Sequence, residues 1–230
     1  MVRKPDVEID LAAAALLIAE EEYSGLDVSR YMGELDRIGD AVGAEMGHRF
    51  IDPADAIVAL NTVLFEREGF TGNRDDYYDP RNSYLNDVID RKTGIPITLS
   101  IVYKEVASRV GLALDGVGFP GHFLLKHTEQ DRHIVIDPYF GGRTLDLDDL
   151  SELLRGVMGE DARLDSRHLM AVDKRAILAR ILRNLRGIFV GAPDLPRALG
   201  AIERLLILEP DDTDLRRERD EIEGRLGQAH

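Results

Sequence analysis

Cysteine is absent from all 230 residues. That one absence excludes disulfides, thiolate metal sites and a cysteine nucleophile together. Long apolar runs are also lacking. The longest, "LAAAALLIA" from Leu11 to Ala19, is too short to span a bilayer, follows acidic residues, and has neither a basic leader nor a small-residue cleavage site. The expectation is a cytoplasmic protein that engages no membrane. Nor is there a basic face. The net charge is −14, and the basic residues of the C-terminal third alternate with acids along helical stretches, which argues against nucleic acid as a partner. The acidity reads as solubility. What remains is a chain long enough for one sizeable core, or for one domain with a smaller helical appendage.

The periodicity predicts three opening helices: Glu8 to Tyr23, Val28 to Val42 with Tyr31, Leu35, Ile38 and Val42 on one face, and a third from Pro53 to Gly69. Asp52 and Pro53 make the third the best-marked start, since aspartate caps a helix and proline suits its first position. The next segment, "GFTGNRDDYYDPRNSYLNDV", is loop by composition, ending in a short helix that carries Leu85, Val88 and Ile89. Pro96 opens another helix that stops at Gly111. The pattern then alternates. "ALDGVGF", "HFLLKH" and "HIVID" read as strands, the last two forming a hairpin about the polar loop "TEQDR". Three more helices are expected, at Asp148 to Met158, Ala176 to Phe189 and Leu195 to Leu208, with a charged one after Pro210. The sum is an α+β fold.

Two constellations carry chemistry. Gly116, Gly118 and Gly121 spell G-x-G-x-x-G, but a dinucleotide cradle needs a helix immediately after its glycines. Here Pro120 and a strand follow, so the glycines read as a tight bend. The second constellation is His122 with Asp137. If the hairpin closes about "TEQDR", Leu125 and Val135 lie in mid-ladder and His122 meets Asp137 at its open end, within one register step, where opposed Cβ atoms stand about 5 Å apart. A carboxylate on one imidazole nitrogen fixes the tautomer and frees the other nitrogen as acid or base. The same geometry equally describes a structural histidine. His127 and His133 flank the turn, about 15 Å from His122 at ~3.3 Å per residue, so one ion cannot join the three. No H-E-x-x-H appears, and no metal or cofactor is expected. Glu105, inside an apolar stripe, calls for an arginine or a backbone amide as partner.

The segments "LLIAEEEY", "LNTVLFEREGFTGN", "YYDPRNSYLNDVIDRKTGIPITLSIVYKEVASRVGL", "GVGFPGHFLLKH" and "IDPYFGG" together make a chain that resembles the bacterial SirB-like family of the transglutaminase-like superfamily. The resemblance implies a papain/transglutaminase-like core, with helices packed on a small antiparallel sheet, in which a cysteine at a helix N-terminus faces a histidine and an aspartate. His122 and Asp137 match the latter two. The nucleophile position falls at or near Pro96, which has no nucleophilic atom and no amide hydrogen. Thr98 and Ser100 are the hydroxyls nearby, deeper in the helix. Asn82, Asn86, Tyr77 and Tyr78, with Phe119, are candidates for lining a groove beside His122, against the alternative that the asparagines cap turns and the aromatics plug a surface.

The family commonly carries a tetratricopeptide-like tail. From Ile177 to Pro210 the spacing suits one such unit, with Leu182, Leu185, Phe189, Ala198 and Ile202 in place; Arg186 departs from the motif's small residue, and Gly187 stands one place late. The expected organisation is an all-helical N-terminal part plus core over 1–165 and a helical tail over 166–230. Three functions stay open. The first is a non-catalytic binding or regulatory protein using the residual His/Asp cleft, with a protein or peptide partner. The second is a hydrolase or acyl transferase using Ser100, Thr98 or a water activated by His122. The third is an adaptor acting through the tail.

Overall fold

The computed structural model describes residues 5–47, 52–130 and 132–228. Three helices open the chain: α1 (Leu11–Ala19), α2 (Val28–Met46) and α3 (Pro53–Asn61). Each starts under an aspartate, Asp10, Asp27 or Asp52, whose carboxylate accepts a first-turn amide. The first coincides with the apolar run and is shorter than the Glu8 to Tyr23 span that the periodicity predicts, because Asp10 caps it late and Asp6–Glu8 forms a separate 3₁₀ turn. The third does not run unbroken to Gly69. It widens into a π-turn at Thr62–Arg67 before Gly69 reverses the chain at φ 77°. Two-residue strands β1 (Thr71–Gly72) and β2 (Thr93–Gly94) pair in parallel and hold the ends of the long loop together, with α4 (Leu85–Arg91) between them.

The central helix α5 (Pro96–Arg109) is buried on nearly every side, from Pro96 through Tyr103 and again at Val106 and Ala107. At ~1.5–3 kcal/mol for each large apolar side chain removed from water, this helix is the anchor of the fold. It packs on a five-stranded antiparallel sheet made of β3 (Asp115–Val117), β4 (Leu124–Glu129), β5 (Arg132–Asp137), β6 (Arg143–Leu145) and β7 (Ala171–Val172), ordered β6-β5-β4-β3-β7. Alternation divides the sheet's faces. Leu125 and Ile136 join the main core with α5, whereas Leu124 and Val135 join Val117, Phe119 and Leu145 in a second cluster under α6 (Leu147–Met158). The architecture is thus α+β, with helices on a small antiparallel sheet.

Helices α7 (Lys174–Gly191), α8 (Leu195–Leu208) and α9 (Thr213–Gly227) complete the chain. The expected boundary at 165/166 falls at a short 3₁₀ turn, Ser166–Leu169, after which the chain rejoins the sheet as β7. Helix α7 then buries Ile177, Leu178, Ile181 and Leu182 in the same cluster as Ile9 and Leu11. Asp6 also accepts the Lys174 amide at 2.9 Å, and Lys174 Nζ donates to the Ile9 carbonyl at 2.6 Å. A three-residue connection folds α8 back on α7 through Ala198, Ala201, Ile202 and Leu205. Among the described residues no helix is long and apolar enough to cross a membrane.

Candidate functional site

After β3 the chain turns through Gly121, at φ 65°, where a Cβ would stand 2.8 Å from a methyl of Val157. Only glycine meets both demands. The turn closes with the His122 amide donating to the Phe119 carbonyl at 3.0 Å. Across the sheet, β5 ends at Asp137, and Pro138–Phe140 form a 3₁₀ turn whose Tyr139 amide donates to Asp137 Oδ1 at 3.1 Å. The same oxygen lies 2.9 Å from His122 Nε2. The pair is enclosed, with His122 6 % exposed and Asp137 0 %. Since the carboxylate accepts, Nε2 carries the hydrogen and Nδ1 is the free nitrogen. Tyr139 and Phe140 wall the imidazole at 5.9 and 6.0 Å between ring centres, and the Arg74 guanidinium covers Phe140 at 4.7 Å.

The contact forms by a different register from the one the hairpin pattern predicts. Leu125 pairs with Ile136 and Lys126 with Val135, and the ladder continues to Glu129 opposite Arg132. The loop is therefore two residues rather than five, with Gln130 in the left-handed region at φ 52°. This slides the strands by one position relative to Leu125 opposite Val135, and His122 precedes β4 in a turn and reaches Asp137 from outside the ladder.

His122 lines a cavity of about 20 Å³ shared with Tyr77, Pro96, Ile97, Phe123, Arg180 and Asn184. The ring of Pro96, at the first position of α5, is thus part of the wall before the imidazole. Ile95, the N-cap, offers no side-chain acceptor, and the early amides of a helix have no carbonyl of their own helix to bond. Arg180 enters from α7. Its Nη2 donates to the His122 carbonyl at 2.7 Å, and its guanidinium sits 5.6 Å from the Phe123 ring centre. Burial draws its pKa down, the Tyr77 phenol is the titratable neighbour that opposes this, and burial in turn pushes the Tyr77 phenol up.

The two hydroxyls that could replace a thiol are elsewhere. Thr98 Oγ1 accepts the Ile95 amide at 3.1 Å and donates to the Asn82 carbonyl at 2.7 Å, so it caps the helix and ties it to the loop. Ser100 is fully buried, its Oγ without a partner, and does not line the cavity. Of the five groove candidates only Tyr77 reaches the cavity. Asn82 is fully buried, where it donates to the Asp76 carbonyl at 2.7 Å and accepts from Asn73 at 3.1 Å, which is a loop-holding role. Asn86 is buried in α4, Tyr78 points to solvent at 75 % exposure with its ring edge on Tyr77, and Phe119 belongs to the cluster under α6. Arg180, Asn184 and Phe123 were not singled out by sequence. A signal existed for the first two, since Ile177, Arg180, Ile181 and Asn184 share one helical face, where two polar residues interrupt an apolar stripe.

Glu105 finds its partner in Arg109, at 3.2 Å. His127 Nδ1 bonds the Ala113 carbonyl at 2.9 Å and His133 Nδ1 the Thr128 hydroxyl at 3.2 Å. Among the described residues no cluster of three His, Asp or Glu side chains could hold a metal ion.

Comparison with known proteins gives the family of the chain. The model of the transglutaminase-like superfamily matches residues 29–183. A UPF0162 protein of Xylella fastidiosa is 40 % identical over 217 residues, 93 % of this chain and 77 % of that one. One from Pseudomonas aeruginosa is 32 % identical over 200 residues, 87 % of this chain and 72 % of that one. Human F-box only protein 21 is 42 % identical over 79 residues, 34 % of this chain and 13 % of its own length. No solved structure matches. The chain belongs to the transglutaminase-like superfamily, in its SirB-like UPF0162 branch.

Proposed function

We propose that this is a non-catalytic transglutaminase-like protein of the cytoplasm, which uses the residual His122–Asp137 site for binding or regulation of a protein or peptide partner. One observation carries the reading: the imidazole and Pro96 line the same cavity. Catalysis by this dyad needs a nucleophile within about 3.2 Å of the free imidazole nitrogen, and proline supplies none. A thiol elsewhere cannot substitute, because the chain has no cysteine.

The adaptor reading keeps independent support. A groove of about 580 Å³ runs between α1 and the α7–α8 hairpin, with Tyr84 and Phe189 lining it and Glu22–Arg197 and Glu21–Arg204 ion pairs at its sides. Here the tetratricopeptide-like tail would supply one wall and the N-terminal helices the other.

The test combines an activity assay with two binding variants. Incubation with a glutamine peptide and an amine donor should give no coupled or hydrolysed product, and Pro96→Cys alone should restore none, since the first turn is built around proline. Turnover by the native chain would overturn the reading. Partner capture that falls with His122→Ala and survives Ala201→Arg supports the cleft, and the reverse pattern supports the groove.

A further inference from the structure

We infer that the groove between α1 and the α7–α8 hairpin takes an extended, uncharged peptide segment with two apolar side chains two positions apart and a backbone carbonyl on the Tyr84 hydroxyl. The inference rests on the adaptor reading above and names the occupant of its groove. Tyr84 is the group that points to a ligand. It is 6 % exposed and lines the groove, and its hydroxyl has no hydrogen-bond partner among the described residues while the oxygen itself is not sealed from solvent. The charges that act most strongly on that hydroxyl, Glu22 and Arg197, line the same groove. The hydroxyl therefore opens to the groove and not to the core. A donor on an otherwise buried ring is satisfied by water or by an incoming carbonyl.

The groove has two chambers. Leu182, Leu185 and Phe189 of α7 line the first, of about 580 Å³; Leu178 and Leu182 line the second, of about 230 Å³, which lies beyond Arg204 and reaches Ile207. Along α7 their centres are thus about five residues apart, or ~8 Å at the helical rise. An extended chain sets same-side residues i and i+2 about 7 Å apart, one for each chamber. It also keeps its carbonyls free, whereas a helix spends them on its own amides, so the extended form is the one with an acceptor to give Tyr84. Charge narrows the occupant further. Glu22 pairs with Arg197 at 2.5 Å and Glu21 with Arg204, acids from the turn after α1 and bases from α8. All four charges at the sides are spent on one another. A charged side chain laid between them has to break a pair, and an uncharged one does not. An apolar floor with a few convergent polar groups is the usual make-up of a binding site.

The experiment is a titration of the full chain with blocked peptides, followed by the ¹⁵N signals of the Gly200 and Ala201 amides in the groove wall. The probe Ac-Gly-Leu-Ser-Leu-Gly-NH₂ is expected to shift both saturably, and Ac-Gly-Leu-Leu-Ser-Gly-NH₂, which fills one chamber, to bind about tenfold or more weakly. With glutamate or lysine in place of the first leucine, neither peptide should bind more tightly than the glutamine version. Tyr84→Phe keeps the ring and should weaken the probe about three- to tenfold. Ile207→Glu, at a position already 59 % exposed, should erase the difference between the two leucine peptides. Equal binding of those peptides by the native chain, tighter binding of a charged one, or full binding by Tyr84→Phe would overturn the inference. So would octanamide, an apolar chain with one carbonyl and no second side chain, if it matched the probe. Silence toward every probe would also overturn it, and the adaptor reading would then be decided separately by Ala201→Arg in partner capture.

Discussion

Helices α5 and α9 are nearly equal in length, 14 and 15 residues, and live in opposite solvents. Helix α5 buries ten residues, three of them bearing hydroxyls, and is fixed sideways by Tyr103, whose hydroxyl donates to Asn61 at 2.9 Å. Helix α9 buries Leu215 and Ile222, seven apart on one face, and leans on α7 through an Arg186–Glu218 bond of 2.7 Å. Packing from all sides locks the angle and register of the first helix, whereas one apolar stripe and exposed ion pairs leave the second to be held mainly by its neighbour. The lesson concerns the site. The Pro96 end of α5 is enclosed as fully as its middle, with Pro96, Ile97 and Thr98 all buried, so the wall before His122 is part of the rigid frame.

The largest test of that contrast is Ile101→Ala, at the centre of α5, where the residue is 1 % exposed. A cost of about 2–5 kcal/mol is expected for an aliphatic side chain truncated in a tightly packed interior, read as a lower urea midpoint with the whole chain unfolding at once. Ile222→Ala in α9 should cost about 2 kcal/mol, the low end of that range, and the loss should be local: faster amide exchange over 213–227 with protection in α5 unchanged. A uniform loss of protection would erase the distinction between the two helices. The smallest effect is a change of slope with pH at Glu105. Burial raises its carboxyl above the ordinary value, despite Arg109 beside it. The folded chain therefore holds that proton more tightly than the unfolded chain, which favours folding at pH below the ordinary carboxylate range and fades as pH rises through the folded value. In urea titrations at several pH values, Glu105→Gln should gain on the native protein from acid to neutral pH. A constant difference across that span would show the carboxyl to be unshifted.

Much of the helical frame was legible because its punctuation is strong. Asp52 with Pro53, and Pro96 alone, mark starts that the structure keeps, and Gly69 and Gly111 both turn at positive φ. The smallest strands were not legible. Two or three residues, as in β1, β2, β6 and β7, carry no period, and their pairing is set by tertiary contacts. The hairpin register was misread for a related reason. Its two-residue turn uses Gln130 in a left-handed conformation, with no Asn-Gly or Asp-Gly signal to announce it. At the site, His122, Asp137, Pro96 and Tyr77 are legible from sequence and lie together, while Tyr78, Asn82, Asn86 and Phe119 stand outside the cavity, because nearness in sequence to a cleft does not fix nearness in space. Arg180 lay hidden in a helix read only as part of the tail.

The Asp6 carboxylate that starts α7, together with the Lys174 ammonium that grips the Ile9 carbonyl, gives the molecule a buckle. Stretches 168 positions apart fasten each other, and the cavity at His122 lies two helical turns along the fastened strap, at Arg180. A tail fastened in this way cannot swing from the opening segment without breaking both bonds.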